Sequence, residues 1–135
     1  MKIKNKLLIS GFHSVNLILI IFYLYPGSIL GCYLYTNCNI QPQITPDFTI
    51  YSNYWISSNH IYVFAILSAL GIFAYGNTKK IKLLIIYLFL LSIILELFHI
   101  IIPAREFEMS DLFGNIVGVI LVIFIYKIVV RYVKT

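Results

Sequence analysis

The sequence predicts an all-α membrane protein: a four-helix transmembrane bundle with its N- and C-termini on the cytoplasmic side. Three observations predict it. Of the 135 residues, 61% are apolar and only 11% are charged, whereas a soluble domain carries roughly a quarter charged residues. The apolar residues gather into four runs, each near the roughly 20 residues that a helix needs to cross about 30 Å of hydrocarbon. The basic residues lie between those runs. A net charge of +5 spread in this way marks membrane flanks and not the single basic face of a nucleic-acid binder.

The first run, Leu7–Tyr25, follows Lys2, Lys4 and Lys6 and ends at the breaker Pro26-Gly27. The same start, read on to Ile29-Leu30-Gly31-Cys32, also has the form of a secretory signal with a lipoprotein cleavage box. Leu30 fits such a box poorly and Pro26-Gly27 already accounts for the break, so an uncleaved first span is expected. Residues 26–59 form an outer loop rich in Pro, Asn, Thr and Tyr. It holds Cys32 and Cys38, for which an oxidising exterior permits a disulfide without requiring one. Tyr33, Tyr35, Tyr51, Tyr54 and Trp55 suit an interfacial aromatic belt more than a sugar-stacking platform. The remaining runs are Ser58–Tyr75, the shortest, then Ile81–Ile102 and Leu112–Val130. With no internal repeat, residues 1–135 read as a single membrane domain.

Basic residues in short flanking loops set orientation. Lys2, Lys4, Lys6, Lys79, Lys80, Lys82, Lys127, Arg131 and Lys134 all fall on one side of a four-span chain, and Arg105 alone falls on the other. Both termini are therefore expected inside. The acidic residues Asp47, Glu96, Glu106, Glu108 and Asp111 sort toward the outer half.

Polar residues within the spans point to a site. Glu96 lies about two turns before Pro103, roughly 10 Å below the end of the third run at 1.5 Å per residue. A carboxylate at the bilayer centre costs about 2.5–3.5 kcal/mol and less near the interface, so Glu96 must be paired, hydrated or protonated. His99 shares its helical face. Ser110 suits a helix N-cap and Asp111 the first turn of the fourth helix, with Asn115 and Gly118 continuing one stripe. Gly114 and Gly118 form a small-xxx-small pair that admits another helix. The short connection Pro103–Ser110 makes the last two helices antiparallel neighbours, so Glu96, His99, Arg105, Asp111, Asn115 and His60 are expected in one outer layer. Structurally, Glu96, Arg105 and Asp111 would be an ion-pair network bridged by Asn115. Functionally, ionisable residues at this depth mark a site by default. His13, Ser14 and Asn16 lie deeper and are expected to make interhelical contacts.

The single Glu-x-x-His rules out a di-iron bundle, which needs two such motifs and two further Glu residues. A zinc set of His60, His99, Glu96 and Asp111 is chemically available, but no metal or other cofactor is expected. No nucleophile elbow, phosphate-binding loop or His-Glu-x-x-His is present.

The order Glu96-x-x-His99-x-x-x-Pro103-x-Arg105, then Ser110-Asp111-x-x-x-Asn115-x-x-Gly118, resembles the signature of VanZ-like membrane proteins. That signature reads Glu-x-x-Gln, Pro-x-Arg and Asp-x-x-x-Asn-x-x-Gly at the same spacings. His60 followed by Phe64, and Tyr25-Pro26-Gly27-Ser28 after the first span, are similar to its earlier segments. His99 departs from it, placing a titratable ring where the family usually has an amide. The resemblance implies a multi-pass protein of the bacterial cytoplasmic membrane. The family is named after an accessory protein linked to teicoplanin resistance, and the resemblance implies a bacterial envelope context, not that this chain confers resistance.

The leading functional expectation is a non-catalytic envelope protein binding a lipid-linked or anionic amphiphile at the outer leaflet. Arg105 would contact a phosphate or carboxylate, while Glu96, Asp111 and Asn115 position it. The competing reading is an enzyme acting on a polyprenyl or cell-wall lipid, with Glu96 or His99 as general base and Arg105 as oxyanion clamp. A third is a small subunit of a larger membrane complex docking through the Gly114/Gly118 face. Expected partners are a membrane lipid or lipid-linked envelope precursor and, in the third reading, a membrane protein; nucleic acid is not among them.

Overall fold

The computed structural model describes residues 2–43, 45–51 and 54–133; the side chains of residues 2–5, 49–51, 54 and 133 lie outside that description. Lys134 and the side chains of Tyr51 and Tyr54 therefore fall outside the described residues. Seven elements follow in order: α1 (Lys2–Leu24), α2 (Ile29–Tyr35), β1 (Phe48–Tyr51), β2 (Tyr54–Ile56), α3 (Ser58–Tyr75), α4 (Ile81–Phe98) and α5 (Met109–Val133). The helices α1, α3, α4 and α5 are each long and apolar enough to cross a membrane. Their outward faces carry side chains such as Leu17, Ile18, Phe73, Leu83 and Phe124, which only hydrocarbon solvates well.

The core is a layer of Phe12, Leu19, Phe64, Leu67, Leu88, Leu95 and Val119. The most extensive helix interface joins α3 to α5. A Cβ on Gly114 would stand 2.6 Å from the Ser57 carbonyl oxygen, and one on Gly118 2.5 Å from that of Ile61. The small-residue face is thus used inside the chain to bring α5 onto α3.

Contacts place the ends of the bundle. His13 Nε2 meets Tyr75 Oη at 2.8 Å, and Tyr126 Oη donates to the Gly76 carbonyl at 2.8 Å. The starts of α1 and α4 and the ends of α3 and α5 therefore share one end, hereafter the lysine end. Asn16 Nδ2 donates to Tyr87 Oη nearby, so His13 and Asn16 make interhelical contacts.

At the opposite end, the described residues among 25–57 and 99–108 fold over the bundle. The expected loop contains more structure than its composition showed. Cys32 and Cys38 are joined by a disulfide, which commits the Cys32 sulfur to a partner other than a lipid. Gly27, at φ +83°, supplies the left-handed turn that starts this segment. β1 and β2 form an antiparallel hairpin that leads into α3. Asp47 Oδ1 accepts from the Ser58 amide at 3.0 Å, capping α3 where Ser57 makes no side-chain cap.

α1 starts earlier than expected, at Lys2, and α5 runs on to Val133; the two boundaries beside Pro103 also differ from the sequence reading. α4 ends at Phe98, not Ile102, because His99, Ile100 and Ile101 bond three residues back, the tighter winding common at helix ends and here just before Pro103. α5 starts at Met109, since the Glu108 carbonyl already accepts from the Asp111 and Leu112 amides. Ser110 is therefore not the N-cap: it lies within the first turn and its Oγ donates to Glu108 Oε2.

Candidate functional site

The site is built where α1, α3, α4 and α5 meet beneath the loops. Its centre is Asn115, fully buried on α5. Asn115 Nδ2 donates to the Ser92 carbonyl at 3.2 Å, and a carbonyl can only accept, so Oδ1 faces the other way. There Tyr23 Oη donates to Oδ1 at 2.8 Å, and His60 Nδ1 lies 3.0 Å from both Oδ1 and Tyr23 Oη. With both of those oxygens available as acceptors and Tyr23 already donating, the ring proton of His60 belongs on Nδ1. Nε2 of the same ring then points at Asp111 Oδ2, 3.2 Å away.

A second pair adjoins it. Glu96 is fully buried, and its Oε1 accepts from the Glu108 amide at 3.2 Å and meets His99 Nδ1 at 3.2 Å. His99 is 3% exposed. Its ring stacks on Tyr23 at a centroid distance of 5.6 Å, and Nε2 lies 3.2 Å from the Tyr23 carbonyl. That carbonyl also can only accept, so Nε2 carries a proton and the contact with Glu96 closes around one further proton. Glu96 Oε2 is buried without a hydrogen-bond partner.

Arg105 differs from its expected place. Among the described ion pairs neither Glu96 nor Asp111 has Arg105 as partner; both acids pair with histidines. Arg105 instead donates from Nη2 to the Phe22 carbonyl at 2.9 Å and from Nε to the Tyr25 carbonyl at 3.2 Å. These are carbonyls at the end of α1, which no further helical turn satisfies and where a cation suits the helix dipole. Ala104, at φ +58°, turns the chain so that Arg105 reaches back over α1. Partial burial lowers the guanidinium pKa, while Tyr23, Glu96 and Asp111 pull it upward, so Arg105 still acts on this layer through its field.

All six residues singled out in the sequence, His60, Glu96, His99, Arg105, Asp111 and Asn115, thus lie at this end. Tyr23 joins them unannounced, because in the sequence it is one aromatic in an apolar run.

Two cavities open beside this layer. A polar cleft of about 680 Å³ is lined by His60, Arg105 and the acids Asp47, Glu106, Glu108 and Asp111, among others. An apolar crevice of about 300 Å³ runs between Phe22, Ile29, Leu30, Leu34 and Val63. The two share Gln41, Asn59, His60 and Arg105.

No curated protein and no solved structure matches the chain. A family model described as VanZ/LLP1 matches residues 11–130, nearly the whole bundle and every residue of the layer described above. The chain therefore belongs to the VanZ/LLP1 family of membrane proteins.

Proposed function

We propose that the protein is a non-catalytic component of the bacterial cell envelope that binds a lipid-linked amphiphile at the outer leaflet of the cytoplasmic membrane. The observation that carries this reading is the junction of a polar cleft and an apolar crevice at Asn59, His60 and Arg105. A head group would sit in the cleft and a hydrocarbon or polyprenyl portion in the crevice, which suits an amphiphile better than a wholly polar or wholly apolar ligand. The lining refines the head group. Four carboxylates surround one guanidinium there, so a bare anion meets net repulsion. A phosphate or carboxylate for Arg105 must come with hydroxyl, amide or ammonium donors for the acids. Sequestering such an envelope precursor would alter susceptibility to teicoplanin-type glycopeptides.

The lysine clusters support an orientation with both termini in the cytoplasm and the disulfide-bearing loops outside. A cysteine introduced at Asn77 should then resist a membrane-impermeant maleimide in intact cells; labelling there would reverse the topology.

Retention of lipid by protein extracted in a gentle detergent tests the binding reading. Native mass spectra should show a lipid adduct on the wild type that weakens in Leu34→Trp, which fills the crevice without touching the polar layer. It should be lost in Arg105→Ala. Equal adducts on all three folded proteins would refute the assignment.

For an enzyme, Glu96 and His99 are poorly placed as bases. Neither lines the polar cleft, and their hydrogen bonds are with each other and with backbone groups, although His99 does line the apolar crevice. The pair facing that cleft is His60 with Asp111. The subunit reading loses its expected docking face, because Gly114 and Gly118 are covered by α3.

A further inference from the structure

We propose that His60, Glu96 and Asp111 form a binding site for one divalent metal ion of the zinc class, linking α3, α4 and α5. One ligand atom from each residue lies within 4.8 Å of the others. The His60 Nε2 to Asp111 Oδ2 separation of 3.2 Å matches the edge of about 3.3 Å subtended by two ligands roughly 2.0–2.1 Å from a tetrahedral ion. Glu96 offers its ligand atom within the same 4.8 Å.

Three features separate this group from an ordinary polar cluster. First, the hydrogen bonds already orient the imidazole as metal sites do. Ser92 fixes Asn115, and Asn115 Oδ1 holds the Nδ1 proton of His60. Nε2 of the ring faces Asp111, and an outer partner on the other nitrogen is the usual support of a ligating histidine. Second, Glu96 is fully buried with Oε2 unpartnered, a costly arrangement for an acceptor at membrane depth. Its other oxygen is anchored by the Glu108 amide and His99, so the carboxylate is held with one coordination position unused. Third, two carboxylates from separate helices are brought together around one imidazole. Two carboxylates also balance the charge of a divalent ion.

His99 is not part of the set, because both of its nitrogens are committed to Glu96 and the Tyr23 carbonyl. A set of one nitrogen and two oxygen ligands selects zinc-like ions over calcium, which takes six to eight oxygens. His60 and Asp111 both line the polar cleft, leaving a fourth position for water or a ligand atom, as three-residue zinc sites do. The site needs only these three side chains and stands whether or not the cleft holds an amphiphile.

The test uses zinc chloride alone on the chelator-stripped, detergent-purified full chain. Saturable binding of one ion per chain is expected. Glu96→Gln and Asp111→Asn, both close in size to the native residues, should weaken it by more than about 100-fold, beyond the roughly 10–100-fold expected for the outer partner variant Asn115→Ala. His13→Ala, at the other end of the bundle, should bind as the wild type does. Zinc should also shield His60 of the wild type from diethyl pyrocarbonate, read by peptide mass, a measurement that needs no variant to fold. Absence of saturable binding, equal affinity in folded Glu96→Gln, or unshielded His60 would each overturn the site.

Discussion

The two ends of the bundle both contain polar side chains at membrane depth, yet they use them differently. At the lysine end polar side chains meet in separate pairs: His13 with Tyr75, Asn16 with Tyr87, Tyr126 with the Gly76 carbonyl. His13 is exposed to its surroundings. At the loop end Tyr23, His60, Glu96, His99, Asp111 and Asn115 form one connected layer that contains two acids, one of them with no water access. Pairwise neutral bonds in a membrane contribute on average about 0.6 kcal/mol and serve as glue. Connected ionisable groups are far more costly to leave incomplete. The difference teaches that depth alone does not mark a candidate site; connection among ionisable groups points to one.

Substitutions should sharpen that contrast in a definite order. The largest effect is expected where backbone approach, not polarity, is at stake. Gly118→Leu drives a side chain into the Ile61 carbonyl and should separate α5 from α3, read as loss of monodisperse protein on size exclusion. Next comes Asn115→Ala, which strips partners from Tyr23, His60 and the Ser92 carbonyl together. A buried unsatisfied group costs about 1–3 kcal/mol, so the penalty should reach or exceed the top of that range in thermal or denaturant unfolding. Glu96→Gln should cost less in the same unfolding measurement, since the amide keeps the volume and one oxygen that can still accept from the Glu108 amide. The smallest effect belongs to the lysine end. His13→Ala should cost about 0.6 kcal/mol and no more than roughly 1.7. If His13→Ala matched Asn115→Ala, the two ends would not differ in kind.

Much of this was legible in the sequence, for identifiable reasons. The four spans follow from uninterrupted apolar runs bounded by lysines, Pro26-Gly27 and Pro103. The polar residues stand out because an apolar helix has few. What escaped notice depends on tertiary contact. Tyr23 is indistinguishable in sequence from Tyr87, and only the folded bundle sets one against His60 and the other against Asn16. Arg105 was expected over the acids because charge attracts charge, yet its partners are backbone carbonyls of α1, which leave no mark in composition. The histidines took the acids instead. The hairpin and the Asp47 cap were hidden for a similar reason, since a Pro- and Asn-rich loop does not announce which acid will reach a helix start eleven residues away.

The central claim is that the loop-end layer is a ligand site and the lysine end is not. Native mass spectrometry of three detergent-extracted proteins, the wild type, Asp111→Asn and His13→Ala, tests it most directly. The wild type and His13→Ala should carry the same bound lipid or metal adduct, and Asp111→Asn should have lost it while remaining folded. An adduct absent from the wild type, or retained equally by all three, would contradict the claim.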